Sequence, residues 1–167
     1  MRILLLLVIL GLGNTGYGQT GNALDERNGF KDIKLLSDVT SYPGLAFYKE
    51  IKGEANQALY RATKGSYTHI GDVEIYKLIA YTYRQQIYQI EVTTEKSEKL
   101  FRSLEKAFGK INSSLASQTS YWDGEKVRLT YKVEGAKKIK LIYLAKDIKK
   151  IIALDKKEAV DSLTSEF

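Results

Sequence analysis

Residues 73–111 read VEIYKLIAYTYRQQIYQIEVTTEKSEKLFRSLEKAFGKI, and the period of the apolar residues changes once along that stretch. Val73 to Tyr83 is dense in β-branched and aromatic residues, the composition of a pleated, half-buried surface. Arg84-Gln85-Gln86 turns the chain. Ile87 to Thr93 then alternates, with Tyr88, Ile90 and Val92 on one side and Gln89, Glu91 and Thr93 on the other. From Thr94, which stands where an N-cap belongs, the period becomes helical. Leu100, Phe101, Leu104, Phe108 and Ile111 recur on one stripe. Gly109 ends the helix, because it adopts positive φ without a Cβ clash.

The same order returns further on. After the turn residues Asp123-Gly124, KVRLTYKV alternates with Val127, Leu129, Tyr131 and Val133 facing one way. Glu134 to Lys137 turns the chain, KIKLIYL returns, and Ile148, Ile151, Ile152, Ala159 and Leu163 favour a helix with a break near Leu154-Asp155. Residues 71–109 and 124–165 are thus pseudo-repeats of strand, turn, strand and helix, alike in pattern and not in residue identity. One such unit cannot bury its sheet face alone. Two units side by side make an α+β, two-layer sandwich: an antiparallel sheet built from two β-hairpin–helix units, with the helices packed on one face. The other face is then open to water or to a partner.

Towards the N-terminus, Phe30 to Leu45 reads as a short strand and a short helix, with Ser37 as its cap and Pro43-Gly44 as its stop. Ala46 to Ile51 reads as a strand. Residues 55–63 fit either a helix start or a strand, and strand is the preferred reading. Residues 20–29 are polar and rich in turn formers, a flexible lead-in to one domain spanning 30–167. Asn112 to Thr119 reads as a polar loop.

The first nineteen residues, MRILLLLVILGLGNTGYGQ, combine Arg2, an apolar run from Ile3 to Leu12 and small residues at Gly16 and Gly18. That is the make-up of a signal peptide, too short for a permanent membrane span. The expected location is periplasmic or secreted. The chain has no cysteine, so disulfides, thiolate metal sites and a lipid-bearing N-terminal cysteine are excluded. Its 26 basic and 20 acidic residues give a net charge of +6, or +5 once Arg2 leaves with the leader. That balance favours acidic partners. With export it argues against nucleic acid.

Between Lys126 and Lys157 there are eleven basic and three acidic residues, so the charge is concentrated in the second unit. Alternation places Lys126, Arg128 and Lys132 on the open sheet face, with Lys138 and Lys140 as companions. They read either as a solvated lysine-rich face or as a docking face for an acidic partner. Tyr121 and Trp122 precede a turn and form a candidate solvent-facing aromatic contact, suited to sugar rings or a protein partner. His69 is the single histidine. An enzyme would pair it with Asp72 or Ser66, but the spacing names no relay. No run of carboxylates, glycine-rich phosphate cradle or metal-ligand spacing appears, so no catalytic residue and no cofactor is expected.

FKDIKLLSDVTSY, EKAFGKI and YWDGEKVRLTYKV together resemble small exported bacterial domains of the outer-membrane assembly accessory lipoprotein type, and the tandem-unit β-lactamase-inhibitor proteins. The resemblance covers residues 30–145. It implies a non-enzymatic, protein-binding role with the sheet face as docking surface. This chain departs from the lipoprotein pattern in lacking the lipid-bearing cysteine. The leading expectation is an exported, non-enzymatic protein-interaction domain. A carbohydrate- or lipid-binding module is the alternative, and a hydrolase the remote one.

Overall fold

A computed structural model describes residues 20–114 and 119–164. The leader expected at 1–19 lies outside them. In chain order the elements are α1 (Thr20–Arg27), β1 (Gly29–Phe30), β2 (Ile33–Lys34), a 3-10 turn (Val39–Ser41), β3 (Leu45–Glu50), β4 (Gln57–Ala62), β5 (His69–Ile70), β6 (Val73–Tyr83), β7 (Gln86–Glu95), α2 (Glu98–Phe108), β8 (Asn112–Ser114), β9 (Thr119–Asp123), β10 (Val127–Glu134), β11 (Lys138–Ala145) and α3 (Ile148–Thr164). The fold is α+β, a multi-stranded antiparallel sheet with helices packed against it.

Both expected hairpins form. They join through their second strands, with Val92 opposite Leu141 and Ile90 opposite Tyr143. The sheet then continues past these four strands on both sides, in the order β3-β4-β6-β7-β11-β10-β9-β8, with β5 pairing separately onto β6. Strand is the outcome at 57–62. Asn112–Ser114, expected as loop, pairs with β9.

One face of the sheet presents Leu78, Ala80, Ile90, Val92, Leu129, Leu141 and Tyr143 to the core. Leu100, Leu104 and Phe108 of α2 lie on it, three residues of the stripe that the period of 3.6 marks. Beside α2, the rest of that face is covered by Leu24 of α1 and by Phe30, Ile33, Leu35 and Val39. The segment 20–29 is therefore not a flexible lead-in. Leu24 is buried, and the Asp25 carboxylate accepts backbone N–H groups of Glu125 (2.6 Å), Lys126 (2.9 Å) and Val127 (2.9 Å). Three donors at a turn with no strand partner for them are satisfied by one side chain.

Three local expectations are corrected. Tyr81 pairs with Gln89 and Thr82 with Ile87, which leaves Tyr88 as an extra residue in a bulge. The bulge sends Ile87 into the core and Tyr88 to the opposite face, where its hydroxyl donates to Gln57 Oε1 at 3.0 Å, so Tyr88 does not share the side of Ile90 and Val92. The α2 cap is Ser97, whose Oγ accepts from the Leu100 N–H, while Thr94 is buried within β7. The 3-10 turn is capped by Asp38, and Ser37 instead donates to the Lys34 carbonyl. Gly109 ends α2 at φ +82° as its position demands.

Helix α3 is continuous through Leu154-Asp155. Ile148 at its start is buried, as are Leu59, Ile79 and Tyr83, and all four stand outside the main core cluster. Strand alternation places Leu59, Ile79 and Tyr83 on the face away from α2. Asp155 accepts from Tyr83 and pairs with Arg84 Nη1 at 3.0 Å. Helix α3 therefore meets the second face at the β6–β7 turn, while α1 and α2 share the first. Among the described residues, no helix is long and apolar enough to cross a membrane.

Candidate functional site

Arg128, Thr130 and Lys132 stand on the face away from α2, as alternation requires, with Lys132 opposite Lys140. Two of its cations are charge-paired. Lys140 Nζ lies 2.8 Å from Glu134 and 3.5 Å from Glu91. Its bond to Glu134 in the first place raises the ammonium above its ordinary range. Arg128 bonds Asp123 at 2.8 Å and lies over the Tyr121 ring, 4.9 Å from its centroid. The Arg128 hydrogen bond is also the main reason the Asp123 carboxyl sits below the usual carboxylate range. Lys138 lies over the Tyr76 ring at 5.0 Å. Lys126 is exposed, with its backbone N–H on Asp25. Lys132 is exposed too. Glu91 and Asp123, which lie outside the stretch 126–157, and Glu134 within it supply the balancing charge. Of the five cations, Arg128 and Lys140 thus meet carboxylates, while Lys126, Lys132 and Lys138 stay exposed.

Trp122 is not a surface contact. It is 2 % exposed, sits among Phe101 and Phe108, and donates through Nε1 to the Gly109 carbonyl at 2.8 Å. Strand β9 pairs Trp122 with Leu129, so alternation carries the indole to the core side. A buried indole needs a partner for its N–H, and the end of α2 supplies one. Tyr121 is half-buried beneath Arg128.

His69, Asp72 and Ser66 each make a contact of their own. His69 Nδ1 is 3.1 Å from Thr68 Oγ1, Asp72 is held by Lys99 at 2.7 Å, and Ser66 Oγ is 2.9 Å from Thr63 Oγ1. Each candidate is engaged by a different neighbour. Among the described residues, no group of three or more His, Cys, Asp or Glu side chains is placed to hold a metal ion.

The β3–β4 edge combines exposed aromatics with a sheet edge. Strand β3 is one of the two terminal strands of the sheet, with β8 at the other end, so its outer backbone groups pair with no strand among the described residues. It carries Phe47, 58 % exposed, and Tyr48, 43 % exposed. A register shift between Phe47 and Lys49 makes Tyr48 the extra residue of a bulge. Phe47 meets Tyr60 edge-on, with centroids 5.8 Å apart. Tyr48 lies under the Arg61 guanidinium, 3.5 Å from centroid to carbon, and Lys49 lies 5.6 Å from the same ring. Such stacking holds the cation in place.

Two clefts of about 500 Å³ each open beside this edge. One is lined by Arg61, Ser66, Tyr67 and Lys77 among others, the second by Phe47, Glu50, Tyr60 and Arg84 among others. In the first, burial and then a hydrogen bond to Asp32 push the Tyr67 phenol up to about 12. The sequence carried a trace of this edge in the adjacent Phe47-Tyr48. Two neighbouring strand residues point to opposite faces, so one of two adjacent aromatics must leave a one-sided core. That β3 is a terminal strand was not readable. Compared with known proteins, the chain matches no family model, no curated protein and no solved structure.

Proposed function

We propose that this chain is an exported, non-enzymatic protein-interaction domain, which holds an extended acidic segment of a partner polypeptide along the β3–β4 edge. One observation carries the reading. Phe47 and Tyr48 stand exposed on a terminal strand, beside a guanidinium already stacked in place. Tyrosine and arginine are among the residues that dominate binding energy at protein interfaces, and phenylalanine is enriched there. A terminal strand also offers unpaired backbone groups to an extended chain. Acidity in the partner follows from Lys49 and Arg61 at the edge and from the net charge of +5 left once Arg2 leaves with the leader. Export rests on the leader, Arg2 with the apolar run Ile3 to Leu12, and the periplasmic or secreted location is part of the same proposal. The carbohydrate- or lipid-binding alternative loses Trp122, which is buried, and would rest on exposed tyrosines such as Tyr48 and Tyr76.

Site-directed photo-crosslinking tests this. A crosslinker at Phe47 is expected to capture another protein, through an extended segment rich in Asp and Glu. One at Lys132, on the face away from α2, is expected to capture none. Adducts at 132 and none at 47 overturn the placement. Adducts at 47 to a second copy of this chain overturn the identity of the partner. Replacing Phe47 and Tyr48 by Ser is expected to weaken the captured complex at least about tenfold, a loss of roughly 1.4 kcal/mol or more.

A further inference from the structure

Independently of the β3–β4 edge, we propose that the cavity between α2 and the segment leading from α1 into the β1–β2 hairpin binds a small anion with a compact apolar body, of the aromatic or branched short-chain carboxylate class. The cavity holds about 160 Å³. Its walls include Phe30, Leu100, Leu104 and Phe108, and its inner side is Tyr143 of β11. An apolar cavity of about 150 Å³ accepts a benzene molecule, so the room suits one ring or a short branched chain and no long acyl tail.

The polar groups point to the ligand's charge. Tyr143 is 3 % exposed, its ring lies 5.9 Å from that of Phe30, and its hydroxyl has no hydrogen-bond partner among the described residues. No side-chain N or O that is fully sealed off lacks a partner among the described residues. The Tyr143 hydroxyl must therefore reach open space, and the cavity is the space it lines. Burial raises this phenol above its ordinary range, so it keeps its proton and donates. In that space the hydroxyl can donate to a ligand oxygen. Arg27 and Lys31 also line the cavity, no carboxylate does, and neither cation has an ion-pair partner among the described residues. Arg27 is close enough to act electrostatically on the Tyr143 phenol. One donor inside and two cations beside it fit a carboxylate attached to an apolar body.

The test uses 4-fluorobenzoate as probe, followed by fluorine NMR, with 4-fluorotoluene as its neutral counterpart. Saturable binding of fluorobenzoate is expected, and fluorotoluene should bind at least about tenfold more weakly. Tyr143→Phe, which keeps the ring and removes the donor, should weaken fluorobenzoate about tenfold. The double variant Arg27→Gln/Lys31→Gln should weaken it similarly and remove its salt dependence. Ala107→Trp, placed on the exposed side of α2 where it lines the cavity, should abolish binding with the circular dichroism spectrum unchanged. Should Tyr143→Phe fail to fold, the two surface variants decide the matter. Absence of saturable binding, equal binding of fluorotoluene, or binding indifferent to Ala107→Trp would each overturn the proposal.

Discussion

The two hairpin–helix units, β6–β7–α2 and β10–β11–α3, share one order of elements and differ in where the helix goes. Each helix starts after two intervening residues, Lys96-Ser97 in the first unit and Lys146-Asp147 in the second. Helix α2 lies on the main core, whereas α3 meets the opposite face at the β6–β7 turn. The reason lies outside both units. Beside α2 the core face is occupied by Leu24, Phe30, Ile33, Leu35 and Val39, so no room is left there for a second long helix. A local pattern specifies that a helix forms and which of its stripes is apolar. Competition from a distant segment decides which surface it covers.

That contrast is open to test, and the largest effect should come from the core side. Leu104→Ala is expected to cost about 3 kcal/mol in chemical denaturation, because it removes a buried side chain beneath a fixed sheet. Ile151→Ala, at a half-buried position in α3, should cost about 1 kcal/mol. Equal losses would mean that the two helices are packed alike. Asp25→Ala comes next, at about 2 kcal/mol, since three backbone N–H groups lose their acceptor at once. Native-state hydrogen exchange should then show faster exchange at Glu125, Lys126 and Val127. If it does not, the segment 20–27 is not what secures the β9–β10 turn. At Gly124 an added Cβ would collide with the Asp25 carboxylate, so Gly124→Ala should mimic Asp25→Ala.

Removing the Ser97 cap, by Ser97→Ala, is expected to cost about 1 kcal/mol and to fray the start of α2 without touching α3. The effect at Tyr67 depends on pH. Its folded value is raised, so the unfolded chain loses the phenolic proton first as pH rises past 10. The stability this group contributes is therefore present below pH 10 and lost between there and about 12. Tyr67→Phe should flatten that part of the stability curve, and an unchanged slope would show that Tyr67 is not responsible. The smallest effect is expected for Asp155→Asn, about 0.5 kcal/mol, because its partner Arg84 is largely exposed. Even so, it should loosen α3 selectively, seen as faster exchange in α3 with α2 unchanged.

The hairpins, the α2 stripe and the stop at Gly109 were legible because each rests on contacts between residues close in the chain. The bulge at Tyr88 was not, since strict alternation over Ile87 to Thr93 is equally compatible with a regular strand. The N-terminal helix was hidden by the polar composition of 20–29, whose one buried apolar residue in α1 is Leu24. Its anchor, Asp25, acts across about a hundred residues of sequence. The candidate site fared similarly. Lys126, Arg128, Lys132, Lys138 and Lys140 stand largely where alternation put them, yet Arg128 and Lys140 meet carboxylates that pairing brings in from β7, β9 and β10. Trp122 went to the core because the register of β9 on β10 chose its side.

By itself the sequence determined the α+β class, two antiparallel hairpins and an amphipathic helix, because hydrophobic period and turn chemistry act over a few residues. Only the tertiary structure decided the terminal strand, the face taken by α3, the burial of Trp122 and the cavity beside Tyr143. Those depend on which distant surfaces reach one another first, and a chain's local pattern carries no record of its neighbours in space.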